Sequence, residues 1–407
     1  MKRIRAKAPL ICLVYILLIF IPAELNWLIG PVRIEAYRLF LIAAALLLAS
    51  KMMNHKYDRK ELALVIFCGL SAISYIYVHN AAGVQSALIL ILEVFVSYWI
   101  GLQVGGNIHK LRGCITLIMT MFLLLVPFAI VESLSGYRSL HVLFATIADT
   151  KVDAYLGESY FRHGLHRAGT VFAHPILYSV ISVMYIGLLF RLYNLPLIVL
   201  FCFAILTAII TSVTSAGLLM LLMLLVLFLM QKSTRYFPSV FKLAVILSGF
   251  IFIFLSFASN QGPIQLLIQL TSLNTDTAFA RYMQWQFASM EVLRNPIFGI
   301  GFNEWARPYW MAASIDSYWL TVMLKSGIPA LIALSVFFIL SLKAYWQAFQ
   351  VTREWLYFCF FIAICSFILG AFTVDYFDRA QLMLYLTMGF FNSFVSKKST
   401  ETGKLNI

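Results

Sequence analysis

At 62% hydrophobic and 12% charged residues over 407 positions, with a mean hydropathy of +0.90, the chain is no soluble globular protein, whose charged fraction would be nearer ~25%. The formal net charge of +13 does not call for a nucleic-acid partner, because the basic residues track a membrane topology. Apolar runs of ~17–25 residues match a hydrocarbon core ~30 Å thick. The expected fold is therefore all-α: one polytopic integral membrane domain over residues 1–407.

In chain order the predicted spans are 10–29, 34–50, 61–79, 85–103, 114–132, 175–191, 195–212, 215–230, 240–258, 317–341, 355–373 and 380–396, twelve in all. The Lys/Arg-led start resembles a signal peptide, but no small-residue cleavage pattern follows it, and it reads as a retained first helix. The apolar stretch 195–230 would be ~54 Å long as a single helix, so it must fold back. Its polar, glycine-ended stretch, Thr211-Ser212-Val213-Thr214-Ser215-Ala216-Gly217, is the place to do so. Pro175 and Pro196 sit at first turns, where a missing N–H costs little. Pro127 and Pro329 fall inside spans and should kink them. All six cysteines lie within predicted spans, which leaves no loop disulfide and no thiolate metal site. The polar tail from Ser396 reads as disordered.

Lysine and arginine set the orientation. With the N-terminus inside, the cytoplasmic segments collect most of the 30 basic residues against Asp58, Glu61, Glu354 and Glu401 alone. Both termini are then cytoplasmic, and two long loops, 133–174 and 259–316, lie on the far side of a bacterial cytoplasmic (inner) membrane. Loops of that length are functional or disordered, and the aromatic content of the second argues against disorder. An amphipathic helix over about 277–293 should lie at the interface and end at Asn295-Pro296.

Chemistry concentrates in these loops. Their basic residues are arginines apart from Lys151, and guanidinium forks take phosphate oxygens in pairs. Arg167 and Arg281, with Arg162 and Arg307 behind them, are the candidates for binding a pyrophosphate; snorkelling to phospholipid headgroups is the alternative for any one of them. Asp316 and Glu304 are the carboxylates placed to act as catalytic base, or else to pair with Arg281 or Arg307. Gly299 and Gly301 would let backbone approach a substrate closely or simply make a turn. His163, His166 and His174 have no familiar metal-ligand spacing, so no metal and no cofactor is expected. His174, before Pro175, should cap or position the sixth span.

Four short motifs, in order, resemble the O-antigen polymerase and ligase family: Arg167-Ala168-Gly169-Thr170-Val171-Phe172-Ala173-His174-Pro175; Arg281-Tyr282-Met283-Gln284-Trp285; Asn295-Pro296-Ile297-Phe298-Gly299-Ile300-Gly301-Phe302; and Asp316-Ser317-Tyr318-Trp319-Leu320 followed by Lys325-Ser326-Gly327-Ile328-Pro329. The resemblance implies a GT-C-like membrane glycosyltransferase without a metal, acting on undecaprenyl-pyrophosphate-linked oligosaccharides alongside other polysaccharide assembly proteins and membrane lipids. Two departures bear on its subtype. Ligases of this group carry a functional His-Asn before the late span, where this chain has Ile315-Asp316-Ser317, and this favours polymerisation of repeat units into O-antigen, capsule or exopolysaccharide. The family's Ser-Arg-Gly near the eighth span is Ser215-Ala216-Gly217 here, without the arginine. A ligase is the alternative within the family, and a polysaccharide flippase or transporter the alternative outside it.

Overall fold

The computed structural model describes residues 8–29, 32–152, 160–233 and 275–402, with Leu247 and Phe250 standing alone between the last two segments. The predicted span 240–258 and the start of the second long loop lie outside the described residues. Within them the chain is a helical bundle. Seven helices, over Ala36–Met53, Arg59–His79, Ala81–Leu102, Ile108–Ser135, Pro175–Leu192, Leu195–Ser212 and Tyr318–Thr352, are long and apolar enough to cross a membrane. The protein is a multi-pass, all-α membrane protein. Shorter apolar helices cover Leu10–Ile19, Ser139–Ala148, Ser215–Gln231 and Trp355–Gly370.

The first span is shorter than its apolar run implies. Helix α1 (Leu10–Ile19) stops early, because Pro22 has no N–H to give and its ring disfavours a helical Ile21. The chain then forms an antiparallel pair, β1 (Asn26–Ile29) with β2 (Val32–Glu35), in which Ile29 faces Val32. A hydropathy window sees only the apolar residues here and misses the Gly30-Pro31 turn signal between the strands.

Helices α2 (Ala36–Met53) and α3 (Arg59–His79) follow. A capping box opens α3, with Asp58 accepting from the Glu61 amide and Glu61 from the Asp58 amide. Next come α4 (Ala81–Ile91), a π-helical turn (Leu92–Val96) and α5 (Ser97–Leu102) as one continuous rod. The π turn carries Glu93, the clearest charge within a predicted span. Its carboxylate accepts from Arg38 at 2.9 Å and from the Tyr37 hydroxyl at 3.0 Å, so a buried charge is neutralised by α2 next door. Helix α6 (Ile108–Ser135), capped by Asn107, runs through Pro127.

Of the first long loop, residues 133–152 and 160–174 are described. It contains α7 (Ser139–Ala148) and a short hairpin, β3 (Phe161–Arg162) with β4 (Leu165–His166), turning at His163-Gly164. Glu132, at the end of α6, accepts from the Gly169 and Thr170 amides at 3.2 and 2.9 Å and pairs with Arg138 at 3.3 Å. That carboxylate fixes the start of the Gly169–Pro175 segment.

The sixth predicted span is two short helices, α8 (Pro175–Val183) and α9 (Ile186–Leu192). Helices α10 (Leu195–Ser212) and α11 (Ser215–Ser233) are separated at Val213-Thr214, inside the polar stretch the sequence marks for a break, and both pack against α8. The helix expected in the second loop is α12 (Thr275–Arg294), ending before Asn295-Pro296. One face of it, Ala288 and Val292, joins Ile300, Trp305, Met311, Leu320 and Leu324 in a small core separate from the main one. Helices α13 (Tyr318–Thr352), α14 (Trp355–Gly370) and α15 (Arg379–Thr402) complete the bundle. Helix α15 continues past Ser396, so the tail read as disordered is helical as far as Thr402.

The kink expected at Pro329 falls at Gly327. Its φ of 84° and ψ of 172° break α13 in two, and this conformation is essentially confined to glycine. The break frees carbonyls that the helix would otherwise use, and the loop after α12 takes them. The Ile300 amide donates to Leu324 O at 2.7 Å and the Gly301 amide to Lys325 O at 3.2 Å. In return the Ile328 amide donates to Pro296 O at 2.8 Å.

Candidate functional site

A cavity of about 740 Å³ opens at the end of the bundle where α8 and α11 begin and α14 ends. Five stretches of chain wall it: the β3–β4 hairpin with the residues up to Leu177, the α10–α11 corner, α12 with the loop after it, the first turns of α13, and the α14–α15 connection. Except for Lys325 in α13, its charged walls come from segments that the charge pattern puts on one side of the membrane.

Arg162 and Arg167 flank the His163-Gly164 turn, and the hairpin carries both into the wall. The Arg167 amide donates to Tyr160 O at 2.8 Å, its guanidinium Nε to Ser212 O at 3.3 Å, and its guanidinium stands 6.0 Å from the Tyr160 ring. The Ala168 amide donates to Thr211 O at 2.9 Å, so the hairpin is laced onto the α10–α11 corner. Thr214, Ser215 and Ala216 of that corner line the cavity. Arg167 is therefore held against the corner that carries Ser215-Ala216-Gly217. Arg167 is only 6% exposed, and burial, reinforced by Arg162, lowers its pKa to about 10. It remains charged at neutral pH while its hydration is largely stripped, which strengthens its attraction for an anion.

Arg281 comes from α12 and is 3% exposed. Burial pulls its pKa down, opposed by Asp316, whose carboxylate lies 3.7 Å from Arg281 Nε. Gln284, one turn along α12, accepts from the Asp316 amide at 2.8 Å and donates to Ser314 O at 3.2 Å. Arg307 stands 5.7 Å from the Trp305 ring, donates to Met311 O and Trp305 O, and pairs with Glu304 at 3.4 Å. Asp316 and Glu304 thus form the ion pairs that were the alternative to a base role. Asp316 keeps 41% of its side chain exposed and Glu304 84%, so both carboxylates are open to solvent while the Arg281 guanidinium that faces Asp316 is buried.

His174 caps α8: its Nδ1 accepts from the Ile176 amide at 3.2 Å. Burial, with Arg167, Arg162 and Arg281 nearby, lowers its pKa to about 3, so it lines the cavity as a neutral ring. His163 is exposed at the hairpin turn, and His166 packs against Phe161 and below Gly136. Neither reaches the cavity, and no group of three or more metal-ligating side chains occurs among the described residues.

Gly299 and Gly301 both have positive φ. The close approach they permit is to the protein itself. A Cβ on Gly299 would run into the Leu324 carbonyl, and one on Gly301 into the His79 ring, whose Nε2 accepts from the Phe302 amide at 2.7 Å. Gly299 works by docking the loop onto broken α13, and Gly301 reaches the cavity wall as a result.

Three lining groups carry chemistry that the motif reading did not assign. Lys325, two residues before the Gly327 break, holds its ammonium 5.4 Å from the Phe302 ring. Thr321 lies a turn earlier. Asp375 sits in the α14–α15 connection, partly accessible from the cavity. Burial, the largest influence, pushes its carboxyl up to about 7 against the pull of Lys325. The short connector 371–378 between apolar helices gave no cue to Asp375 beyond its charge. In comparison with known proteins, no family model and no curated protein matches this chain, and its chemistry is read from the cavity itself.

Proposed function

We propose that this protein is a membrane glycosyltransferase of the O-antigen polymerase kind, joining lipid-linked oligosaccharide repeat units at the outer face of the bacterial cytoplasmic membrane. The observation that carries the reading is the convergence of Arg162, Arg167, Arg281 and Arg307, from segments far apart in sequence, on one cavity that also holds Lys325 and three carboxyl groups. Such a surplus of partly desolvated cations at a membrane-spanning bundle's end suits a diphosphate on a lipid anchor. In the transfer, charge builds on the departing polyprenyl pyrophosphate, and fixed guanidinium groups would stabilise it without reorganising. They can supply the positive charge that a divalent cation provides elsewhere, and the reaction is proposed as metal-independent.

The proposal includes twelve spans, with both termini cytoplasmic and the cavity outside, motivated by the distribution of lysine and arginine. A flippase or transporter would be expected to keep working charges within its spans. Here Glu93 is held by Arg38 and Tyr37, and Glu35 by Arg379 at 2.9 Å, which makes them internal struts; Lys325 is a charge within a span that reaches the cavity, and the arginines lining it come from the loops.

A strain lacking the protein should accumulate single repeat units on the carrier, already facing outward, and make no long chains. Purified protein should extend lipid-linked units, and Arg167→Lys and Arg281→Lys should each lose most of that activity while still inserting, since lysine keeps the charge but not the fork. Long chains stranded on the carrier would instead identify a ligase, and single units trapped inside a flippase. Full activity in both lysine variants would remove the diphosphate role.

A further inference from the structure

A second, smaller cavity of about 170 Å³ adjoins the first. The two share Phe302, Thr321, Lys325, Asp375 and Phe377 as a common wall. Beyond that wall the smaller space is bounded by aromatic rings, Tyr75 and Tyr318 among them, and by residues with hydrogen-bonding groups, Ser86 and Gln381. Rings that cover the apolar face of a pyranose, beside amide and hydroxyl partners for its hydroxyls, are the chemistry of a sugar subsite. The larger cavity holds the arginines and the smaller holds none.

The carboxyl groups divide in the same way. Asp316 faces Arg281 and Glu304 faces Arg307, and in each case a guanidinium competes for the lone pairs a base must use. Asp375 makes no ion pair among the described residues and lies on the shared wall.

Resting on the glycosyl-transfer reading above, we infer that Asp375 is the proton acceptor for the acceptor sugar, whose ring occupies the smaller cavity while the donor's diphosphate lies among the arginines. The sugar hydroxyl gives its proton to the Asp375 carboxylate as its oxygen bonds to the donor's anomeric carbon. The bond from that carbon to the pyrophosphate oxygen breaks, and its electron pair leaves on the polyprenyl pyrophosphate. Asp375 then returns its proton to solvent through the open cavity. The groups that face this carboxyl are Lys325 and Thr321 from α13, Asp316 before it, and the Tyr75 and Tyr318 phenols; Glu93 lies on the wall of the smaller cavity. Burial raises the carboxyl to about 7 against Lys325, a value suited to exchanging a proton at neutral pH.

The test uses the purified full chain in lipid with lipid-linked repeat units. Wild-type kcat should rise with pH through a limb near 7 and level off above it. Asp375→Asn should slow extension by ~10²–10⁴-fold with the KM for the lipid-linked donor and retention of polyprenyl pyrophosphate unchanged. Asp375→Glu should restore part of the rate, with a displaced limb. An Asn variant within a few-fold of wild type, with the same limb, overturns the assignment and leaves the glycosyl-transfer reading standing. Should the Asn variant not insert, the wild-type profile decides, and a kcat flat through neutral pH overturns the assignment equally. A wild-type protein that extends nothing overturns both readings.

Discussion

Replacing Gly327 by alanine should disrupt the joint between α13 and the loop after α12. A side chain at φ 84°, ψ 172° costs ~1–3 kcal/mol in backbone strain. The new Cβ would also run into the Ile297 carbonyl, forcing apart the loop and helix joined by Ile300 N to Leu324 O, Gly301 N to Lys325 O and Ile328 N to Pro296 O. At ~0.5–1.5 kcal/mol for each of these three bonds, strain and lost pairing together amount to about 3–7 kcal/mol. Gly164 is the control. It has a φ of +80° but nothing within 4 Å of an added Cβ, so Gly164→Ala should cost only ~1–2 kcal/mol. Unfolding in detergent, with limited proteolysis across residues 296–316, reads both effects. Gly327→Ala should expose that loop to cleavage and abolish activity, because the loop carries Glu304 and Arg307. A Gly327→Ala protein no less stable than Gly164→Ala, its loop still protected, would refute the account.

Three further outcomes follow from buried polar groups. The Asp375 carboxyl is raised from 3.8 to about 7, so the folded protein holds a proton that the unfolded chain releases, and stability falls as pH rises through that window; Asp375→Asn should therefore stabilise the protein above pH 7, by at most about 4 kcal/mol, and leave it unchanged below pH 3.8 in melting curves. His174 is the opposite case: its imidazole falls from 6.5 to about 3, the unfolded chain takes the proton first, and stability is lost as pH drops below 6.5, whereas His174→Asn keeps a capping acceptor and should flatten that part of the melting profile. Glu132→Gln removes the negative partner of buried Arg138 and weakens acceptance from the Gly169 and Thr170 amides, for a loss of about 3–5 kcal/mol and faster amide exchange across residues 167–175.

Much of the bundle was legible because hydrocarbon imposes a length and a polarity on anything that crosses it. The borders of α10, the break at Val213-Thr214 and the end of α12 at Asn295-Pro296 all follow from local residues. Where local chemistry is ambiguous the reading slipped. Pro22 stopped α1 inside an apolar run, and the kink expected at Pro329 settled on Gly327, where loop amides wait for the freed carbonyls.

Arginines from the first and second long loops could be singled out from sequence because the residue type itself, at a membrane face, carries the chemistry. Their gathering into one cavity could not, since it depends on how the α10–α11 corner, the β3–β4 hairpin and α12 pack against the start of α13. The same packing decided that Asp316 and Glu304 pair with Arg281 and Arg307, and that Gly299 serves the protein's own backbone. It also turned Asp375 from an ordinary connector residue into a carboxyl on the wall between two cavities. Composition and periodicity determine what each segment must bury, which is a local property. A pKa, an ion pair or a cavity depends on which groups lie within a few ångströms, and around the two cavities of this chain those groups run from Phe67 to Gln381.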